Sequence, residues 1–267
     1  MAETTTGSWG GNRSQTTGDS AIVFSNVRIL DGTGERPYNG EVTVTGNRIT
    51  SVVRSGQSFA WGGNGGQRVD GRGMTLMPGL IDAHLHLSWN NAPGIDPIQM
   101  MPIEEHVINC VEMAKLVLDS GFTAGYGAAA AKPRLDVVIR DAINQGKVPG
   151  PRYTAAGPEI TAVGGLGDAS KPHIPHEGLN LGIVVSGPED VRLKVRQLMK
   201  WGVDTIKIKL SGEEITGMGA EENQVSDQES AMLVKETKRR HRRLAADPRS
   251  KESIKNCGEF GIEIIYH

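Results

Sequence analysis

Short apolar runs separated by turn residues make up the early part of the chain. Ala21-Ile22-Val23-Phe24, Val27-Arg28-Ile29-Leu30, Glu41-Val42-Thr43-Val44 and Ile49-Thr50-Ser51-Val52-Val53 are β-rich. The pairs Asp31-Gly32, Asn39-Gly40 and Gly46-Asn47 between them are hairpin-type turn signals. The pattern predicts a small antiparallel sheet. A Gly-rich loop over 55–66 and one more turn over 68–73 follow. Next comes Leu76-Met77-Pro78-Gly79-Leu80-Ile81-Asp82-Ala83-His84-Leu85-His86-Leu87, which reads as a buried strand. Beyond it, segments of helical and strand period alternate. Helices are expected over 103–120, 135–145, 188–201, 227–240 and 250–260. Strands are expected over 121–126, 152–160, 203–210, 243–247 and 262–267. Pro188 suits a first helical turn, and Gly146 suits a helix stop.

Repeated strand–helix units of this size argue for an α/β fold with a parallel sheet, most simply a TIM-like (β/α) barrel. About six of the eight strands that such a barrel needs can be counted, so the barrel reads as incomplete. The expected organisation is a disordered tail over 1–19, a small β-sheet domain over 20–75 lacking its C-terminal part, and a partial barrel over 76–267.

Composition narrows the function classes. The net charge is −2 over 267 residues, which supplies no basic field for nucleic acid or an acidic membrane. Hydrophobic content is 37% against 35 glycines, as in a loop-rich α/β protein. Cys110 and Cys257 stand far apart, which fits a reducing compartment and a cytoplasmic location rather than a disulfide framework. No apolar run approaches the ~20 residues of a membrane span.

Candidate chemistry sits at the strand ends, where barrels of this kind carry their sites. His84 and His86 alternate onto one face of their strand, and two imidazoles side by side point to a divalent metal. Lys207 and Lys209 share a face of the strand over 203–210, so spacing alone does not choose between them. A buried lysine is costly while charged. Asp247 and His267 close two further strands. Asp247 reads equally as an oxygen ligand and as a turn residue before Pro248. His173 is a weak candidate for substrate contact in a loop, whereas His176 reads as solvated. His106 and His241 fall in helical stretches without an assigned role. The basic run Lys238-Arg239-Arg240-His241-Arg242-Arg243 reads as a solvated helix end.

Pro78-Gly79-Leu80-Ile81-Asp82-Ala83-His84-Leu85-His86 resembles the first-strand motif of the metal-dependent amidohydrolase superfamily, in its imidazolonepropionase-like and prolidase-like group. Arg140-Asp141-Ala142-Ile143-Asn144, Pro149-Gly150-Pro151-Arg152 and Gly164-Gly165-Leu166-Gly167-Asp168 resemble that group's central region. The resemblance implies a hydrolase in which metal-activated water attacks an amide or related C–N bond of a small-molecule substrate. It implies His84, His86, Lys207 and His267 as metal ligands, with Lys207 carbamylated and one or two zinc ions bound. Two departures are visible. Asp247 stands where the family carries a histidine. The family's general-base aspartate lies on a later strand, so a chain truncated before the last barrel strands lacks that base. Reduced or absent activity is therefore expected, and a non-catalytic remnant of such an enzyme is the alternative. Unpaired edges of strands one and six predict homo-oligomers or aggregation.

Overall fold

The computed structural model describes residues 21–57, 66–89, 91–171, 173, 180–213 and 217–267. The tail over 1–19, most of the Gly-rich loop and His176 lie outside the described residues. Contacts divide the chain into two compact units, Met1–Gly79 and Leu80–His267.

In the first unit, β1 (Ala21–Ile29), β2 (Tyr38–Thr45), β3 (Arg48–Arg54), β4 (Gln67–Asp70) and β5 (Thr75–Leu76) form one sheet. Strands β1, β2 and β3 are antiparallel, as their alternating pattern predicts, but β4 and β5 pair with β1 in parallel. The expected antiparallel sheet is therefore a mixed one, and the segment expected as a turn over 68–73 begins inside β4. Asn39 and Gly40 lie within β2 rather than at a hairpin turn. Close strand approach explains that glycine, since a Cβ at Gly40 would sit 2.2 Å from the Val53 carbonyl oxygen. Val27, Ile29 and Val42 form the core, with Phe24, Tyr38, Val44 and Leu76 against them.

The second unit runs β6 (Leu80–Leu85), α1 (Ile95–Met100), α2 (Ile103–Asp119), β7 (Phe122–Gly127), α3 (Leu135–Asn144), β8 (Arg152–Thr154), β9 (Glu159–Ala162), β10 (Gly182–Val185), α4 (Pro188–Trp201), β11 (Thr205–Lys209), α5 (Asp227–Arg239), β12 (Arg243–Asp247), α6 (Lys251–Phe260) and β13 (Ile264–Ile265). Its two sheets, β6-β7-β8 and β10-β9-β11-β12-β13, are parallel throughout. A parallel bridge from Ala156 to Thr205 links the segment after β8 to β11. Helices α4 and α5 start and stop on sequence signals. Pro188 opens α4, and Gly202, in the left-handed region, closes it. Ser226 and Glu229 form a capping box at the start of α5. The core gathers Leu85, Ile139, Ile160, Leu198, Ile206, Ile208, Leu233 and Leu244. Among the described residues, no helix is long and apolar enough to cross a membrane.

Several expectations are corrected here. The strand expected over 152–160 breaks into β8 and β9, which join different sheets. The strand expected over 262–267 shortens to Ile264–Ile265. The His-bearing strand is only half buried: Leu80 is 42% and Ile81 71% exposed, because β6 is an end strand paired on one side by β7. Helix α1 and strand β10 went unanticipated. His241 lies beyond α5 with a positive φ, outside the helix expected there.

One substitution tests the close packing of β7 against β8. A Cβ at Gly127 would lie 2.4 Å from the Thr154 carbonyl oxygen and 2.7 Å from the Tyr153 hydroxyl. Backbone cannot yield as a side-chain tip can, so Gly127→Ala is expected to lower stability by about 1–3 kcal/mol, read as a shifted urea midpoint. An unchanged midpoint would contradict the approach described.

Candidate metal centre

Strand β11 lies between β9 and β12, and all five of its residues are buried. Alternation puts Lys207 and Lys209 on one face, and the ladder sets Lys209 directly beside Asp247. Asp204 anchors the entry to this strand: it takes the guanidinium of Arg140 and, at 2.9 Å, the backbone N–H of Ala155. At the far end the Ser211 hydroxyl accepts the backbone N–H groups of Arg249 at 2.7 Å and Ser250 at 3.3 Å. The segments that follow Lys209 and Asp247 are thereby tied to each other.

Four charged groups meet at this place. Lys209 donates to Oδ2 of Asp247, and Lys207 Nζ lies 3.1 Å from the same oxygen. Glu159, at the start of β9, brings Oε2 to 3.5 Å from Lys209 Nζ and 3.8 Å from Lys207 Nζ. All four side chains are almost fully buried. Burial pulls Lys207 below the usual lysine range despite its carboxylate neighbours. Burial acts on Lys209 too, but Glu159 and Asp247 outweigh it and leave that ammonium raised. Burial pushes Asp247 up, yet Lys207 and Lys209 outweigh it and hold its carboxyl below the ordinary value.

The histidines approach from the other side. His84 Nε2 lies 3.1 Å from His86 Nε2 and 3.2 Å from Lys207 Nζ. His86 Nδ1 is 3.0 Å from the carbonyl oxygen of Ala129. A carbonyl only accepts, so Nδ1 carries the proton and Nε2 presents its lone pair to the cluster. Burial, then the charge of Lys207, lowers His84 to about 4 and His86 to about 3. Both rings are neutral at physiological pH, the form that ligates metal. Tyr266 stacks on His84 at 4.1 Å between centroids, and Trp89 stacks on His86 at 4.2 Å.

The donor set fits a divalent cation. Ligand atoms of His84, Asp247 and His267 all lie within 4.8 Å of one another. Asp247 Oδ1 is buried, has no hydrogen-bond partner among the described residues, and faces His267 Nε2 at 3.7 Å. Two facing imidazole nitrogens and an unpaired carboxylate oxygen are costly unless a cation or a proton bridges them. A cavity of about 360 Å³ opens on the cluster and is lined by both histidines of β6 and its extension, Trp89, both lysines and His267.

The structure therefore brings His84, His86, Lys207, Asp247 and His267 together. Asp247 is fully buried at the end of β12 with its carboxylate against both lysines, so the turn-residue reading is set aside. His173 sits exposed in a turn and is not among the described residues lining the cavity. His106 is buried in α2 and meets the Ser88 carbonyl oxygen at 2.5 Å. Sequence reasoning missed Glu159, Trp89 and Tyr266. The signal for Glu159 was a lone acid within the apolar stretch Gly157-Pro158-Glu159-Ile160.

The sequence profile of the Amidohydrolase family matches residues 75–262. A dihydroorotase of Solibacter usitatus (strain Ellin6076) is 26% identical over 168 residues, 59% of this chain and 35% of that one. A solved prolidase complexed with N-methylphosphonate-L-proline is 26% identical, with a TM-score of 0.81 over 93% of this chain and 61% of its own. A Xaa-Pro dipeptidase with methionine in its active site is also 26% identical, with a TM-score of 0.75 over 92% of this chain and 61% of its own. The chain thus spans about a third of that dihydroorotase and about three fifths of these solved chains. The likeness implies a TIM-like barrel architecture for the parallel α/β unit. The chain belongs to the amidohydrolase family.

Proposed function

We propose that this protein is a metal-dependent hydrolase acting on an amide or related C–N bond of a small-molecule substrate. The observation that carries the reading is the convergence of His84, Asp247 and His267 ligand atoms within 4.8 Å, beside His86 and Lys207. Nitrogen and oxygen donors without thiolate favour zinc. A divalent cation bound there would make water a nucleophile near neutral pH and polarise a carbonyl.

The chain's own residues have distinct tasks. His86, its tautomer set by Ala129, presents Nε2, and His84 presents the nitrogen beside it. His267, partly exposed at the cavity, and Asp247 Oδ1 complete the cradle. Lys207 is the lysine to be carbamylated: burial favours its free amine, whose nitrogen adds to the carbon of CO₂ with loss of one proton. Lys209 stays an ammonium between two carboxylates. The substrate class most worth screening is the Xaa-Pro dipeptide, given the solved prolidase-like relatives, with cyclic amides second, given the dihydroorotase.

The test is hydrolysis of such a panel by chelator-treated protein before and after zinc is restored. Hydrolysis that returns with zinc, and that His84→Ala abolishes together with zinc retention, is the expected result. Protein that neither holds zinc nor hydrolyses any member would favour the other reading. In that case the ion cluster, with Asp247 Oδ2 already satisfied by two lysines, is the structural core of a non-catalytic family member.

A further inference from the structure

We infer that the basic turn after α5 is a binding site for a compact polyphosphate group, carried by a nucleotide or free as inorganic triphosphate. The inference is independent of the metal reading. Lys238-Arg239-Arg240-His241-Arg242-Arg243 places five cations in six residues of a chain whose net charge is −2. The fold bends this run into a concave wall. Lys238, His241, Arg242, Arg243 and Glu263 line a cavity of about 480 Å³. Three segments build it: the end of α5, the start of β12 and the turn between α6 and β13. Gly261, in that turn, has no side chain to crowd Lys238, whose Nζ would stand 3.2 Å from a Cβ there.

Ending the helix does not use these side chains. The carbonyl oxygen of Thr237 accepts the backbone N–H groups of Arg240 and Arg242, both at 3.2 Å, and that of Lys238 accepts the N–H of His241 at 3.0 Å. Arg239 turns to Glu236 at 3.5 Å. Lys238, Arg242 and Arg243 are exposed and make no ion pair and no side-chain hydrogen bond among the described residues. A cleft lined by one sign of charge focuses its field on an opposite ion. Guanidinium forks match phosphate oxygens in pairs, and an ammonium adds a point charge. Glu263 is the one carboxylate in the wall and opposes the anion. Arg243 opens β12 and Asp247 closes it, so the cavity and the metal centre lie at opposite ends of one strand, roughly 13 Å apart at ordinary strand rise. The cations fill one corner instead of a track, which suits a small ligand and not a nucleic acid duplex.

The experiment is calorimetric titration of the full chain with inorganic triphosphate and, separately, with ATP, both in chelator at fixed ionic strength. About one site per chain is expected, with Arg242→Gln and Arg243→Gln each weakening binding about tenfold and Glu263→Gln tightening it. All three side chains are exposed, so the urea midpoints of the variants should match that of the wild type. Equal affinity for the two ligands assigns the site to the phosphate chain alone, and tighter ATP binding assigns it to a nucleotide. Either result supports the inference. No binding, binding that the arginine variants leave unchanged, or equal competition by sulfate would overturn it. So would a DNA duplex that binds more tightly than triphosphate, since the patch would then be a nucleic acid surface.

Discussion

Asp247→Asn is expected to destabilise the fold by about 3–5 kcal/mol, the usual cost of removing one partner from a buried ion pair. The reason is local. Asp247 is fully buried, and its Oδ2 is the nearest carboxylate oxygen to both Lys207 and Lys209. Asparagine keeps the shape and loses the charge, leaving Glu159 as the buried carboxylate beside two lysines. Chemical denaturation at neutral pH reads the effect as a fall in midpoint. The paired replacement Asp247→Leu with Lys209→Met should cost much less, because it exchanges the charges for apolar volume instead of orphaning one of them. A single-variant loss below about 1 kcal/mol would mean that the cluster is solvated rather than buried. The same asparagine is expected to weaken metal retention, since it gives the Oδ1 side a neutral ligand where a carboxylate stood.

The second large effect is a pH dependence seated away from this cluster. Asp136, in the first turn of α3, is wholly buried and accepts the Tyr153 hydroxyl at 2.5 Å, while its other oxygen has no hydrogen-bond partner among the described residues. Burial pushes its carboxyl from an ordinary 3.8 up to about 7, against the Tyr153 hydrogen bond that opposes the rise. The folded chain therefore holds this proton more tightly than the unfolded chain. The associated stability is complete below the unfolded value and is lost as pH climbs through the folded one. The loss is on the order of 4 kcal/mol between about pH 4 and pH 7. Unfolding midpoints taken at about pH 5 and about pH 8 should fall with rising pH in the wild type. In Asp136→Asn that fall should shrink, because the amide still accepts from Tyr153 and cannot ionise. Equal slopes in the two proteins would show that another group is responsible.

Much of the centre was legible in the chain because strand alternation is strict. His84 and His86 two residues apart had to share a face, and they do meet at their Nε2 atoms. Two helix ends were legible in the chain: Pro188 marks the start of α4, and Gly146, in the left-handed region, follows α3. The two lysines show where that reasoning stops. They share a face and differ only in neighbours, so the register of β11 against β12 had to be known before Lys209 could be paired with Asp247. Glu159 was hidden for the same reason. Its role depends on the break between β8 and β9, which carries it onto a different sheet from the residues just before it. The exposure of Ile81 was hidden too, because an apolar alternation records a preference for burial and not the presence of a neighbour that provides it.

The ion cluster also constrains how the second unit can come apart. Its charges belong to three strands, β9, β11 and β12, with Lys209 and Asp247 38 positions apart in sequence and all of α5 between them. A sheet with β11 in place and β12 absent would hold two lysines among apolar neighbours without their nearest counter-ion. Such half-assembled forms are raised in energy relative to both the folded and the open chain, and intermediates of that kind are depleted. The three strands are therefore expected to melt and form together, with α5 carried along as their connection. The buried ion cluster is thus expected to make this part of the molecule cooperative, at the expense of a nucleus that must wait for distant segments to meet.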